Sequence, residues 1–275
     1  MFDLRMEGKF VILCGMNASS IKYTVENRIA TVTLNRPERR NALDDSMIKE
    51  LTELFTTINR NNHSRVVILT GAGSAFCAGM DLDYLQKFSQ LGHAENLEDA
   101  RNLMKLLQLI NGLKKVVIAL VNGPAIGGGC GLAAACDFVF VAKEKGKLGV
   151  PEVKLGFLPA VILMFLIKRM GEGRAREFVL QGGILDAIHA KEKGLATEVF
   201  DDEKLHESVY DFASTLASGT SASSISLTKE LFSRLNEMDL KDVMDYAANL
   251  NALARKTDDF KKGMDSFLKK EKLEW

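Results

Sequence analysis

The stretch from Val121 to Leu158 leaves the backbone few choices. An apolar run ends as Val121-Asn122-Gly123-Pro124, and three glycines follow as Gly127-Gly128-Gly129. A helix of small apolar residues, Leu132 to Ala135, comes next. A glycine turn that opens a buried helix leaves backbone N–H groups without partners, aimed at one point. Such a point holds negative charge that develops on oxygen. Further on, a carboxylate stands behind a proline in Pro151-Glu152-Val153-Lys154-Leu155-Gly156. The apolar neighbours Val150, Val153 and Leu155 raise a carboxyl pKa, so that Glu152 can act as acid or base near neutrality. A surface glutamate paired with Lys154 is the plainer reading of the same residues. Together, turn and carboxylate read as proton chemistry on a carbonyl compound.

The flanking sequence alternates between two periods. Arg28 to Leu34 is β-branched and alternating, and Val66–Thr70, Val116–Val121 and Phe138–Ala142 are continuous apolar runs of strand length. Between them, Met47–Arg60 and Glu98–Leu113 carry apolar residues at helical spacing, the first with Asp44 or Asp45 as its cap. Leu82–Leu91 reads as a short helix or an irregular loop. Strand and helix in turn predict an α/β fold with largely parallel strands. After Pro159 the chain reads as mostly helical, over Arg174–Gln181, Asp186–Gly194, Glu203–Ser218, Ser223–Leu235, Leu240–Ala254 and Thr257–Lys270. The polar stretch Ser218-Gly219-Thr220-Ser221 divides a core, residues 20–218, from a helical region, residues 219–275. Residues 1–19 read as an N-terminal extension, with Met16 as an alternative start.

Charge and cysteine usage narrow the function classes. Lys and Arg number 36, as do Asp and Glu, so the formal net charge is zero. Neither nucleic acid nor an anionic membrane is expected as a partner. No apolar run reaches the ~18–20 residues of a membrane helix. Cys14, Cys77, Cys130 and Cys136 have neither metal-ligand spacing nor disulfide density, and read as reduced thiols in a cytoplasmic protein. His63, His93, His189 and His206 share no ligand spacing, so no metal is expected.

Ordered landmarks then point to a family. They are Asn35-Arg36-Pro37-Glu38-Arg39-Arg40-Asn41-Ala42-Leu43, Val67-Ile68-Leu69-Thr70-Gly71 and Ala75-Phe76-Cys77-Ala78-Gly79-Met80-Asp81-Leu82. Asn122 to Gly129, Cys136-Asp137, Pro151-Glu152-Val153 and the tail Asp259 to Met264 follow in order. From about Ile21 onward the chain resembles the crotonase superfamily, the enoyl-CoA hydratases and isomerases. The resemblance implies a ββα superhelix with a C-terminal helical trimerisation region. It also implies an acyl-CoA substrate, no separate cofactor, and a homotrimer or a hexamer built as a dimer of trimers.

The resemblance also assigns roles. The backbone N–H groups of Met80 and Gly128 form the oxyanion hole, and Glu152 moves a proton beside the thioester. Arg39, Arg40, Ala42, Ala78, Gly79, Asp81, Leu82, Ile126, Gly127, Gly131, Pro151 and Phe260 line the coenzyme A and acyl site. Arginines suit the coenzyme's phosphates, although a solvated basic turn accounts for Arg36, Arg39 and Arg40 as well. Asp81 either bonds the coenzyme or caps Leu82 onward. Phe260 either closes the coenzyme slot of a neighbouring subunit or packs the last helix. Asp137 reads as a structural hydrogen-bonder.

One position departs from the pattern. Hydratases of this family carry a second glutamate in Gly-Gly-Gly-x-Glu-Leu, and here Gly131 stands in its place. A glycine there implies room for a bulkier acyl group or a water. The run Pro159-Ala160-Val161-Ile162 resembles the bacterial methylglutaconyl-CoA hydratase-like branch. Hydration of a 2-enoyl-CoA is therefore the first expectation. Double-bond migration by a single glutamate, as in Δ3,Δ2-enoyl-CoA isomerases, is the second, and an idle acyl-CoA-binding subunit the third.

Overall fold

The structure is a computed structural model that describes residues 2–6, 9–13, 20–88, 90–235 and 238–275. Cys14 and Met16 lie outside the described residues. Strands β1 (Phe2–Met6) and β2 (Lys9–Leu13) pair antiparallel, and β2 lies along β3 (Ile21–Glu26). The stretch read as an extension thus adds two strands to the sheet edge. β3 and β4 (Ile29–Leu34) form a hairpin whose turn places Asn27 and Arg28 at φ 50° and 63°. Helix α1 (Asp45–Arg60), capped by the Asp44 carboxylate on the Met47 N–H at 2.9 Å, crosses to β5 (Val66–Gly71).

Helices α2 (Leu82–Phe88) and α3 (His93–Asn111) lead to β6 (Val116–Val121). Then come β7 (Ala125–Ile126), α4 (Gly128–Ala135), β8 (Phe138–Ala142), β9 (Lys147–Gly149) and α5 (Ala160–Met170). Next are α6 (Glu172–Leu180), β10 (Ile184–Asp186), α7 (Ala187–Glu192) and β11 (Glu198–Phe200). The chain closes with α8 (Leu205–Gly219), α9 (Ala222–Arg234), α10 (Leu240–Ala254) and α11 (Asp258–Lys269).

The main sheet has the order β1-β2-β3-β4-β5-β6-β8-β11, and every pairing from β4 onward is parallel. Its central strands are buried on both faces, which is why they read as unbroken apolar runs. Val67, Leu69, Val117, Ala119, Val139 and Val141 face a core shared with α1, α3, α4 and α5. Ile68, Ile118, Leu120 and Phe140 face a second core against Leu205, Val209 and Ala213 of α8.

A smaller sheet, β10-β9-β7, stands beside the first. β6, β7 and α4 form one strand–strand–helix unit, and β8, β9 and α5 form the next. Each unit gives one strand to each sheet before its helix. The bridges Leu43 to Met80 and Cys77 to Ala125 extend the small layer towards α1. The expected parallel α/β core is present; β3, the whole small sheet and α5 are elements that the sequence pattern did not separate. Strands of two or three residues are too short to show a period, and α5 (AVILMFLIKRM) is apolar nearly all round, so its stripe is blurred. Among the described residues, no helix is long and apolar enough to cross a membrane.

Candidate active site

Two parallel strands of the small sheet deliver the chemical groups. β7 pairs in parallel with β9, Ala125 opposite Leu148 and Ile126 opposite Gly149, so both strands end at the same edge. Immediately beyond β7 the chain turns at Gly127, whose φ of 52° belongs to the left-handed region. The Gly127 N–H still donates to the Gly149 carbonyl at 2.8 Å, which continues the ladder by one rung. Beyond β9 the chain reaches Pro151 and a single 3-10 turn, Glu152–Leu155. The ladder therefore sets Glu152 against the glycine turn. A Cβ added at Gly127 would lie 3.0 Å from Glu152 Oε1.

The turn that carries Glu152 is closed from behind. The Glu152 carbonyl accepts from Gly156, at φ 72°, and from the Phe157 N–H at 3.0 Å. Glu152 Oε2 is buried and has no hydrogen-bond partner among the described residues. An unpaired buried carboxyl oxygen is costly and rare in folded proteins, and functional sites are where it is found. Burial pushes the Glu152 pKa up from its ordinary value, and its own backbone N–H opposes this in part. The surface pairing with Lys154 does not occur among the described residues.

The second half of the site is the segment from Cys77 to Asp81. Asp81 N donates to the Leu43 carbonyl at 2.8 Å, and Leu43 N donates to the Gly79 carbonyl at 2.7 Å. These bonds form the parallel bridge centred on Met80. Successive N–H groups of an extended segment point to opposite sides, so the Met80 N–H turns away from Leu43. Gly79, at φ 97°, lies on the backbone of Ile126 and Gly127, with its Cβ position 2.9 Å from the Ile126 carbonyl oxygen. Gly129 presses on the same segment, its Cβ position 2.2 Å from the Cys77 carbonyl oxygen. Met80 Sδ lies 3.8 Å from the Cβ position of Gly128. Among the described residues, the N–H groups of Met80 and Gly128 donate to no backbone carbonyl, whereas those of Ala78, Asp81, Ile126 and Gly127 do. Gly128 is the first residue of α4, so its N–H has no partner within the helix.

A model of the enoyl-CoA hydratase/isomerase family matches residues 24–275. The chain belongs to the enoyl-CoA hydratase/isomerase family. A crotonyl-CoA hydratase of Syntrophomonas wolfei is 32% identical over 249 residues, covering 90% of this chain and 94% of that protein. The 1,2-epoxyphenylacetyl-CoA isomerase of Escherichia coli is 34% identical over 249 residues, with the same coverage of 90% and 94%. The crystal structure of an enoyl-CoA hydratase from Mycobacterium smegmatis superposes with a TM-score of 0.87 at 26% identity, over 94% of this chain and 99% of that one. The expected crotonase fold is thus confirmed, and the chain is an acyl-CoA enzyme of the hydratase/isomerase type.

Within this family member, the basic segment after β4 divides by function. Arg36 is committed to the scaffold: its guanidinium bonds the Ala42 carbonyl at 2.9 Å and pairs with Asp44 at 2.6 Å and Asp81 at 3.2 Å. Asn41, fully buried at φ 56°, bonds Ala72 O at 2.9 Å and Ala75 O at 2.8 Å, and accepts from Arg36 N at 2.9 Å. Arg39 is exposed and pairs with exposed Asp83 at 3.0 Å. Arg40 is exposed and, among the described residues, has no ion-pair partner.

Other expectations resolve by contact. Asp81 is buried; Oδ1 accepts the Asp83 N–H at 3.0 Å and Oδ2 faces Arg36, so the carboxylate caps the turn into α2. Leu82 is exposed beside it, and Phe260 is exposed on α11. Gly79 lies on Ile126 and Gly127, Pro151 precedes the turn that carries Glu152, Ala78 N donates to the Arg40 carbonyl at 3.0 Å, and the Ala42 carbonyl accepts from Arg36. Asp137 accepts from the Val117 N–H at 2.7 Å and pairs with Lys229, the structural role expected of it. All four histidines are exposed, and no cluster of metal-binding side chains occurs among the described residues. Cys77, Cys130 and Cys136 are buried free thiols that burial pushes up to about 12.

The room expected beside Gly131 is absent. A Cβ there would lie 2.2 Å from Ile162 Cγ2, 2.9 Å from Ile162 Cβ and 3.6 Å from Leu107 Cδ1. The first turn of α5 fills the notch that the glycine opens. Gly131 and the Pro159–Ile162 run, two separate features of the sequence, are one contact in the fold. The sequence does not show which side chain stands beside that glycine.

Proposed function

We propose that this enzyme adds water across the double bond of a 2-enoyl-CoA, with Glu152 as the one acid–base group. The observation that carries the reading is the Glu152 carboxyl itself, with Oε1 against the Gly127 turn and Oε2 buried with no partner among the described residues. The thioester oxygen takes hydrogen bonds from the Met80 and Gly128 N–H groups, and the N-terminus of α4 adds its dipole. The Glu152 carboxylate takes a proton from water as the water oxygen bonds to the β carbon. Charge gathers on the thioester oxygen as an enolate. Glu152 then gives its proton to the α carbon, the carbonyl re-forms, and the carboxylate is restored.

Double-bond migration is the second reading, favoured by the apolar Ile162 at the place where a second carboxylate is expected. There Glu152 takes a proton from C2 of a 3-enoyl-CoA and returns it to C4, and no water is needed. The Pro159–Ile162 run supports methylglutaconyl-CoA as one substrate to try. Arg40 and the backbone from Ala78 to Leu82 are the surfaces offered to coenzyme A. A homotrimer or hexamer fits the exposed apolar residues of the last helices, among them Phe260, Phe267 and Leu268.

The test follows absorbance of the conjugated thioester with crotonyl-CoA, methylglutaconyl-CoA and a 3-enoyl-CoA. Loss of absorbance with the first two supports hydration, and gain with the third supports migration. Glu152→Gln should lower turnover by about 10²–10⁴-fold with coenzyme A binding retained. A folded, fully active variant refutes the assignment. Binding without turnover of any acyl-CoA leaves the idle subunit as the answer.

A further inference from the structure

Gly127, the N-cap of α4, and Gly131 in its first turn are tied by the bond from Gly131 N to Gly127 O at 3.0 Å. Glu152 Oε1 lies 3.0 Å from the Cβ position of the first, and Ile162 Cγ2 lies 2.2 Å from that of the second. The carboxyl and the isoleucine therefore stand at the two ends of the first turn of α4. Both come from the same stretch of chain, the turn after β9 and the start of α5. Ile162 is 2% exposed, and Leu107 of α3 closes the other side of the notch. A β-branched side chain on a helix has essentially one χ1 rotamer, so Ile162 cannot swing out of the notch.

We propose that Ile162 is a specificity-determining and positioning residue. Seated in the Gly131 notch, it keeps the neighbourhood of the Glu152 carboxyl dry and sets how a bound enoyl-CoA divides between water addition and double-bond migration. This rests on the proton-transfer role of Glu152 argued above. An isoleucine offers a water no hydrogen bond. Migration needs no water and is indifferent to that loss. The upward displacement of the Glu152 pKa by burial accords with the same wall.

Ile162→Val and Ile162→Thr test this as a pair, because their side chains match in shape and differ in one hydroxyl. Three readouts apply: hydration of a 2-enoyl-CoA, migration in a 3-enoyl-CoA, and titration of the Glu152 carboxyl in the ligand-free enzyme. The last is read by infrared difference against Glu152→Gln and needs no turnover. Ile162→Val should leave the ratio of hydration to migration within about twofold of the parent. Ile162→Thr should raise that ratio about tenfold and lower the Glu152 titration midpoint by about one unit. If Ile162→Thr does not fold, Ile162→Ala, which opens the notch to water, is read in the same way. Equal ratios and equal midpoints in the polar or opened variant and Ile162→Val overturn the inference. The two claims fail separately: an active Glu152→Gln enzyme fells the catalytic role, whereas indistinguishable Ile162 variants beside an inactive Glu152→Gln fell only the role of Ile162.

Discussion

Adding one methyl group at Gly129 should pull the two halves of the proposed oxyanion site apart. The new Cβ would land 2.2 Å from the Cys77 carbonyl oxygen, 2.8 Å from Cys77 Cβ and 2.9 Å from its carbonyl carbon. A carbon–oxygen contact relaxes to about 3.3 Å, so the start of α4 must retreat by about 1 Å. The oxygen cannot yield instead, because the Ile126 N–H holds it at 2.9 Å. The retreat carries Gly128 away from Met80, and a hydrogen bond lengthened by ~1 Å is lost. Loss of one such donor raises the barrier by about 3–4 kcal/mol, a fall of ~10²–10³-fold in kcat. Overpacking should lower stability by about 1–3 kcal/mol at the same time. Gly173→Ala is the control: nothing lies within 4 Å of its Cβ position, and it sits inside α6. That change should stabilise the protein by about 0.5–1 kcal/mol without touching turnover. The assay is kcat/KM on the best acyl-CoA substrate, with urea midpoints and calorimetric coenzyme A binding alongside. A folded Gly129→Ala enzyme within about threefold of the parent in kcat/KM would falsify the geometric argument.

Three further outcomes are expected. Burial raises the Glu152 pKa, so the acid limb of the kcat/KM profile should fall above the ordinary carboxyl value of 4.5, with activity rising with pH as the carboxylate forms; a limb at or below that value contradicts the desolvated site. Lys115 is buried with its ammonium on the carbonyls of Ile58 at 2.7 Å and Asn61 at 2.6 Å, and burial pushes its pKa down to about 8 from 10.5. The unfolded chain therefore binds the extra proton between those values, and unfolding free energy should rise with pH across that window, a slope that Lys115→Met removes when urea midpoints are compared. Asn41→Ala leaves three backbone groups without partners and puts alanine at φ 56°, and should cost about 3–5 kcal/mol by urea denaturation, whereas a loss under about 1 kcal/mol would mean that the loop is held otherwise.

Much of the candidate site was legible along the chain because its groups are local. Each proposed oxyanion donor is a backbone N–H in a short glycine-containing segment, and glycine advertises itself by the conformation or the close approach it permits. Glu152 stood out by its proline and its apolar neighbours. The side-chain roles were not legible in the same way. Arg36, Arg39 and Arg40 look alike in sequence, yet one is locked to Asp44 and Asp81, one is paired at the surface and one is open. Asp81 could be a ligand or a cap until its two oxygens had partners.

The sequence by itself determined the parallel centre of the main sheet and the helices that cross it. Apolar runs of strand length force central, doubly buried strands, and the helical period between them forces parallel crossovers. Hydrophobic burial and backbone hydrogen bonding act on every residue of such a run, so the pattern survives any single substitution. Only the tertiary structure decided what stands beside Gly131 and which oxygen of Glu152 goes without a partner. Those depend on contacts between segments separated by turns and helices, at distances where 1 Å separates a filled notch from an open one. No periodicity in a sequence carries that length scale.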